Sequence, residues 1–124
     1  MARARGVRLG RLGEDVAASH LEREGWTIVA RNVRAGRREV DLVARRGRVL
    51  AFVEVKTRRG GAFGHPLESI TVRKQGEIRK VAGEWMRKNR IPAGTLFRFD
   101  AVAVHWREDG PPRVVHVPDA WRRG

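Results

Sequence analysis

The chain has no cysteine, and this absence excludes disulfide bonds and thiolate metal sites. It also has no apolar run approaching the ~18 residues of a membrane span, so no membrane partner is expected. Residues 1–11 are rich in arginine but contain no apolar segment of the kind that a secretory signal requires. Together these absences fit a protein of the cytoplasm, which is the location we expect.

Acidic residues and lysine are also scarce. The 27 basic residues outnumber the 14 acidic ones, which gives a formal net charge of +13 and predicts attraction to polyanions such as nucleic acid. A genome that favours arginine codons is an alternative source of part of this excess. Lysine occurs only at positions 56, 74, 80 and 88, so a lysine inside a strand is informative. Its ammonium is a compact charge whose pKa can move, unlike that of guanidinium.

The length of 124 residues predicts one domain, residues 1–124, with enough apolar content for a core. We expect residues 1–8 to form a flexible basic leader. This leader either contacts phosphate groups or is a solvated tail, and the sequence favours neither interpretation.

The most apolar stretch, Arg38–Arg58, predicts two β-strands joined by a tight turn at Gly47. Trp26–Val33 predicts a strand before them, so the first three strands should form an antiparallel meander. A second long helix, Thr71–Asn89, follows, and then strands at Phe97–Val104 and Val114–Val117. The helix between two strands indicates a βαβ unit.

Three charged residues interrupt the apolar hairpin. A turn at residues 46–47 or 45–48 would place Asp41 opposite Phe52 and Glu39 opposite Glu54. Asp41, Glu54 and Lys56 would then share one face, with the two carboxylates as diagonal neighbours roughly 7–8 Å apart. Such a group suits a hard cation such as Mg²⁺. An ordinary ion pair between Lys56 and Asp41 or Glu39 fits the spacing equally well.

The first predicted helix, Leu9–Glu24, ends at Gly25, which can serve as a C-cap. Its apolar stripe of Ala17, Ala18 and Leu21 includes Glu14, and a carboxylate in such a position needs a partner. A capping or helix-dipole role for Glu14 is the alternative.

Asp41 followed by Glu54-Val55-Lys56 resembles the PD-(D/E)xK signature of restriction-endonuclease-like nucleases. From about residue 10 to residue 121, the chain is similar to the YraN-type family of small bacterial predicted endonucleases. The motifs that carry the resemblance are Gly13-Glu14, Arg31-Asn32, Glu39-Val40-Asp41-Leu42, Phe52-Val53-Glu54-Val55-Lys56-Thr57-Arg58 and Arg98-Phe99-Asp100. Each motif is weak alone, but the ordered set is fairly specific. Arg38 departs from the pattern, which commonly has glycine there.

This resemblance implies an α/β fold with a restriction-endonuclease-like core of order αβββαβ, in which helices flank a mixed central sheet. It also implies that Asp41, Glu54 and the backbone carbonyl of Val55 hold Mg²⁺ or Mn²⁺. Glu14 would complete the metal site, directly or through water, and Lys56 would position the attacking water. Asp41, Glu54, Lys56 and Glu14 are therefore the candidate catalytic residues.

Six further residues are candidates for contact with a nucleic-acid backbone. They lie at the end of the hairpin, at the start of the second helix or at the start of the first helix: Arg58, Arg59, Lys74, Gln75, Arg73 and Arg11. Lys74 and Gln75 are near a helix N-terminus, where backbone N–H groups favour phosphate. The pattern nevertheless favours reading these two as solvated residues of the first turn.

We therefore expect a metal-dependent nuclease that hydrolyses phosphodiester bonds in DNA, including branched or structured DNA, with little sequence preference. The alternative is a non-catalytic nucleic-acid-binding module with a nuclease-like fold, and a weaker one is a basic partner of an acidic protein surface. Small nucleases that cut both strands often dimerise, so a homodimer stays open, although the sequence carries no interface signal.

Overall fold

The computed structural model describes residues 2–59 and 70–121, with side chains from residue 11 onward. Its elements are α1 (Ala2–Arg23), β1 (Thr27–Ala35), β2 (Arg38–Arg46), β3 (Val49–Arg59), α2 (Val72–Lys88), β4 (Leu96–Trp106) and β5 (Arg113–Val117). This order confirms the predicted αβββαβ core and its short last strand. Within the described ranges, no helix combines the length and apolar content needed to cross a bilayer.

The strands form a mixed five-stranded sheet in the order β1-β2-β3-β4-β5. The first three are antiparallel, as predicted for a meander. β3 and β4 are parallel, because the chain returns through α2 between them. β5 then pairs antiparallel with β4 at the sheet edge. The amino half of β3 is thus paired with both β4 and the hairpin partner β2, whereas its carboxyl half is paired with β4.

The two helices cover opposite faces of this sheet. On one face Leu50 and Phe52 of β3 pack with Ile78 and Val81 of α2. On the other face, Val53 and its neighbours pack with the apolar stripe of α1. This alternation along β3 follows from the period of two in a strand. Since Glu54 and Lys56 have the parity of Phe52, β3 directs them to the α2 face.

α1 ends at Gly25 in the arrangement that the sequence predicts. The amide of Trp26 donates to the carbonyl of Leu21 and that of Gly25 to Glu22, while Gly25 has a φ of 92°. This pair of hydrogen bonds satisfies terminal carbonyls of the helix. The start of α1 differs from the prediction, because the helix begins at Ala2 rather than near Leu9. Most of the predicted leader therefore lies within the helix.

The hairpin register differs from the prediction by two residues. Arg46 pairs with Val49 and Leu42 with Val53, so the turn is Gly47-Arg48. Gly47 takes a φ of 60° at the first turn position, as a type II′ turn requires, whereas the prediction had placed glycine later in the turn. A shift of two residues does not by itself turn a side chain to the other face. The placement of Asp41 opposite Phe52 was therefore wrong.

β1 and β2 are both distorted at the same level. Val40 packs in the α2-side cluster and Leu42 in the α1-side cluster, although residues two apart in a regular strand share a face. Across from this break, Asn32 has a φ of 50° and lies between the pairs Arg31–Leu42 and Val33–Val40. The two strands thus change faces together, opposite each other, at Asn32 and Asp41.

The fully buried Asp100 of β4 fastens the end of the described chain to the sheet. It accepts hydrogen bonds from Arg98 at 2.9 Å and from the amide of Asp119 at 2.9 Å, and it lies 2.8 Å from His116. These contacts hold the pKa of Asp100 below its ordinary value although burial opposes that effect. Arg98 and Asp100 thus form a partly buried ion pair. Trp121 is buried in the α2-side cluster.

Candidate metal centre

Three carboxylates gather where α1 meets the distorted part of the sheet. Glu14 of α1 and Glu39 and Asp41 of β2 each offer an oxygen, and these three oxygens all lie within 4.8 Å of one another. We call this group the acidic cluster. Carboxylate oxygens are the ligands that Mg²⁺ and Ca²⁺ prefer. The cluster unites two predicted site residues, Glu14 and Asp41, with Glu39, which the sequence had suggested only as an ion-pair partner of Lys56.

Glu14 reaches the sheet because the residue before it is glycine. A Cβ atom at Gly13 would overlap the hydroxyl oxygen of Thr57 on β3. Only glycine therefore allows α1 to approach β3 this closely. The adjacent Glu14 is half-buried as a result, rather than projecting into solvent from the helix surface.

Asn32 connects two of the three carboxylates. Its side-chain nitrogen donates to Glu14 at 2.9 Å and to Glu39 at 2.7 Å. The left-handed backbone conformation that directs it there is uncommon for residues other than glycine, and asparagine tolerates it better than most. The sequence had marked Arg31-Asn32 as part of a motif but had given Asn32 no role. The sequence does not reveal that Asn32 lies at a distortion of β1, and this position is what gives Asn32 its role.

Asp41 is the member of the acidic cluster that contacts β3. Its carboxylate accepts a hydrogen bond of 2.7 Å from the amide of Val55, which takes the place of a strand-to-strand contact beyond the Leu42–Val53 pair. Burial, the charge of Glu54 and, to a smaller extent, those of Glu14 and Glu39 raise the pKa of Asp41 from 3.8 to about 7. The hydrogen bond from Val55 only partly opposes this rise. Asp41 therefore keeps its proton up to about pH 7, because burial and the surrounding acids disfavour a negative charge there.

Glu54 is held by two lysines on the α2 face. Its side chain is only 7% exposed, and one oxygen lies 2.8 Å from the ammonium of Lys74 and 3.3 Å from that of Lys56. Burial and the neighbouring Lys74 lower the pKa of Lys56. Although burial opposes it, hydrogen bonding to Glu54 raises the pKa of Lys74. Of the two ammonium groups, that of Lys56 therefore loses its proton more readily.

The position of Lys74 corrects the interpretation that the sequence favoured. It is not a solvated first-turn residue, because its ammonium is paired with a buried carboxylate. The first turn is capped by Thr71, whose hydroxyl accepts from the amide of Lys74 at 3.1 Å. Gln75 donates to the carbonyl of Ile70, just before the helix. The capped first turn of α2 therefore carries Lys74, which contacts Glu54 of β3.

The predicted site residues thus form two neighbouring groups. Glu14 and Asp41 belong to the acidic cluster, whereas Glu54 and Lys56 form the lysine-paired group with Lys74. The charge of Glu54 acting on Asp41 links the two groups. Direct ligation of a cation by Glu54 and by the carbonyl of Val55 stays a prediction.

The remaining candidates for nucleic-acid contact surround these groups. Arg58 and Arg59 are exposed at the end of β3, and Arg73 is exposed at the start of α2, where it pairs with a glutamate one turn later. Arg11 is exposed on α1, one turn before Glu14. Contact between these four arginines and nucleic acid stays a prediction.

Comparison with known proteins identifies relatives along nearly the whole chain. The model of the uncharacterised protein family UPF0102 matches residues 13–104. A UPF0102 protein of Acidothermus cellulolyticus is 48% identical over 113 residues, which cover 83% of this chain and 86% of the relative. Another, from Rhodococcus opacus, is 44% identical over 118 residues, or 95% and 99% of the two chains. The chain therefore belongs to the uncharacterised protein family UPF0102, the family of the YraN-type proteins that its motifs resemble.

Proposed function

We propose that this protein is a nuclease that hydrolyses phosphodiester bonds in DNA with the help of Mg²⁺ or Mn²⁺. The observation that carries the proposal is the acidic cluster, in which oxygens of Glu14, Glu39 and Asp41 lie within 4.8 Å of one another. The large excess of basic residues supports a polyanionic substrate.

The chemistry of the acidic cluster fits a divalent cation. All three donors are carboxylate oxygens, as hard cations require. Mutual repulsion and burial raise the pKa of Asp41 to about 7, and a bound cation would remove both the repulsion and the preference for a proton. Glu14, Glu39 and Asp41 would hold the cation, with Glu54 and the carbonyl of Val55 as further ligands. A cation bound there would lower the pKa of a coordinated water and neutralise charge on the phosphate.

The two lysines divide the remaining tasks between them. The lowered pKa of Lys56 increases the fraction of neutral amine, which can orient the attacking water and accept a proton from it. Lys74 retains its charge beside Glu54, so it can stabilise negative charge that develops on the phosphate. Lys56 is only 14% exposed, which limits competition from bulk solvent at that amine.

Plasmid cleavage tests the proposal directly. Purified protein is incubated with supercoiled and with branched DNA in Mg²⁺, in Mn²⁺ or in EDTA, and the products are separated on gels. We expect cleavage that needs the cation and that falls by at least ~100-fold in Asp41→Asn and Glu39→Gln. Glu22→Gln is the matched control, because Glu22 is an exposed carboxylate on the same helix as Glu14.

Two results would contradict nuclease activity. The first is an absence of cleavage of every DNA form with both cations, together with DNA binding that needs no metal and is unchanged in Asp41→Asn. That result would support a non-catalytic nucleic-acid-binding module. The second is cleavage that persists in Asp41→Asn and Glu39→Gln at the rate of the control, which would indicate a contaminating nuclease.

A further inference from the structure

A cleft between α1 and β1 borders the acidic cluster. Its volume is about 500 Å³, and it is open to solvent. We call it the α1–β1 cleft. Charged side chains and one amide line it: Arg11, Arg31, Arg34, Glu14, Asp15, Glu39 and Asn32. Two of these, Glu14 and Glu39, are also members of the acidic cluster, so the cleft and the cluster share a wall.

The charges of the described cleft residues balance. Three guanidinium groups face three carboxylates, and two pairs are already formed. Arg31 binds Asp15, and Arg34 lies 3.3 Å from Glu39. A phosphate group approaching this neutral cleft would find two of its arginines engaged and its carboxylates repulsive.

A cation in the acidic cluster would change this balance. Glu14 and Glu39 would then direct their charge to the cation rather than to the cleft. The Arg34–Glu39 pair is the one that would be released, and the Arg34 side chain is 73% exposed, so its guanidinium is free to turn toward solvent. Exposed ion pairs contribute little to stability, so this exchange of partners meets little resistance. The cleft would become net positive only while the cation is bound.

We propose that the α1–β1 cleft is a phosphate-binding surface for the DNA backbone that is switched on by the cation, with Arg34 as the residue that changes partner from Glu39 to phosphate. This inference rests on the proposed metal centre and adds to it a location and a control for substrate binding. Arg11, which lines the same cleft, contributes a second guanidinium to the phosphate. By thermodynamic linkage, DNA must tighten cation binding by the same factor.

The affinity for DNA with and without Ca²⁺ tests the proposal. Ca²⁺ takes the same kind of oxygen ligands as Mg²⁺, and a short fluorescein-labelled duplex reports binding by anisotropy at constant ionic strength. Gels run afterwards verify that the duplex stays intact. We expect Ca²⁺ to raise the affinity of the wild type by ~10-fold, within the usual range of coupling between two sites.

Arg34→Ala should lose most of this gain while still binding Ca²⁺ in calorimetry without DNA. Arg34→Lys keeps a cation in the cleft and should retain most of the gain. Arg45→Ala is the matched control, because Arg45 is an exposed arginine of β2 that lies at the hairpin end of the strand. It should show the same Ca²⁺-dependent gain as the wild type.

The outcomes separate this inference from the proposed function. If Ca²⁺ binds but leaves DNA affinity unchanged, or if Arg34→Ala gains as much as Arg45→Ala, the cleft is not a switched surface, and the metal centre stands. If Ca²⁺ does not bind at all, both the metal centre and the switch are wrong. If the coupling appears but no DNA is ever cut, the switch stands and the nuclease proposal fails.

Discussion

Asp41→Asn should make the protein more stable at neutral and alkaline pH, although it removes a central residue of the candidate site. The carboxylate has a pKa of about 7 when folded and 3.8 as its ordinary value. The folded protein therefore retains a proton that the unfolded chain releases above about pH 4. The stability that Asp41 contributes is full below that pH and is lost as the pH rises from about 4 to about 7.

The size of this loss follows from the two pKa values. Each pKa unit corresponds to ~1.4 kcal/mol, so ionising Asp41 in the folded protein costs up to about 4 kcal/mol above pH 7. Asparagine has no charge to bury, and its side-chain oxygen can still accept the hydrogen bond from Val55. We expect a gain of about 2–4 kcal/mol at pH 8 and little change at pH 4.

Urea unfolding at a series of pH values between 4 and 8 measures both effects. The free energy of unfolding of the wild type should fall across this range relative to that of Asp41→Asn. Asp109→Asn is the control, since Asp109 is an exposed carboxylate in a turn. Addition of Mn²⁺ at pH 8 should remove the difference by stabilising only proteins that retain Asp41. The reasoning is refuted if Asp41→Asn is no more stable than Asp109→Asn at pH 8.

Three further predictions concern the supports of the site. Gly13→Ala should lower stability in thermal melts by about 1–3 kcal/mol and weaken Mn²⁺ binding, because the new methyl group forces α1 away from β3. The control is Gly83→Ala, which has open space around a helical position and should be neutral or stabilising in the same melts. Asn32→Gly keeps the backbone conformation but deletes the side-chain amide that donates to two carboxylates. The affinity for Mn²⁺ measured by calorimetry should therefore fall by ~10-fold. An unchanged affinity would exclude a role of Asn32 in positioning these carboxylates. Lys74→Met should raise the pKa of Lys56, because the neighbouring ammonium that lowers this pKa is removed. NMR titration of labelled lysine side chains can measure the pKa of Lys56, since the chain has only four lysines. An unchanged or lower pKa would contradict the charge distribution that we describe.

Much of the fold could be predicted because its signals are local. The amide of Gly25 donates to a carbonyl in the last turn of α1, and the hydroxyl of Thr71 accepts from an amide in the first turn of α2. Both residues thus satisfy backbone groups that a helix end leaves without a partner. The common face of Glu54 and Lys56 followed from the period of two alone. The register did not, because turn geometry decides it, and the sequence does not reveal which position of a short turn takes positive φ at Gly47.

The composition of the site was harder to predict. Regular alternation assigns Glu39 and Asp41 to the face of Glu54, but it does not reveal that β2 breaks its alternation at Asp41. This break and the unusual conformation of Asn32 bring Glu39 toward Glu14. Lys74 was misjudged for a related reason, since contact between a helix and a buried strand residue depends on how the crossover docks. Long-range geometry, rather than residue type, determines these contacts.

The paired distortion of β1 and β2 restricts how this part of the chain can change. Because both strands exchange their inner and outer sides opposite each other, at Asn32 and Asp41, the register of the ladder is the same at the Arg31–Leu42 and Val33–Val40 pairs. Loss or insertion of a residue in one strand alone would turn the apolar side chains beyond that residue outward. The side chains of the neighbouring strand would keep their orientation. Viable length variants there would require compensating changes in both segments at once.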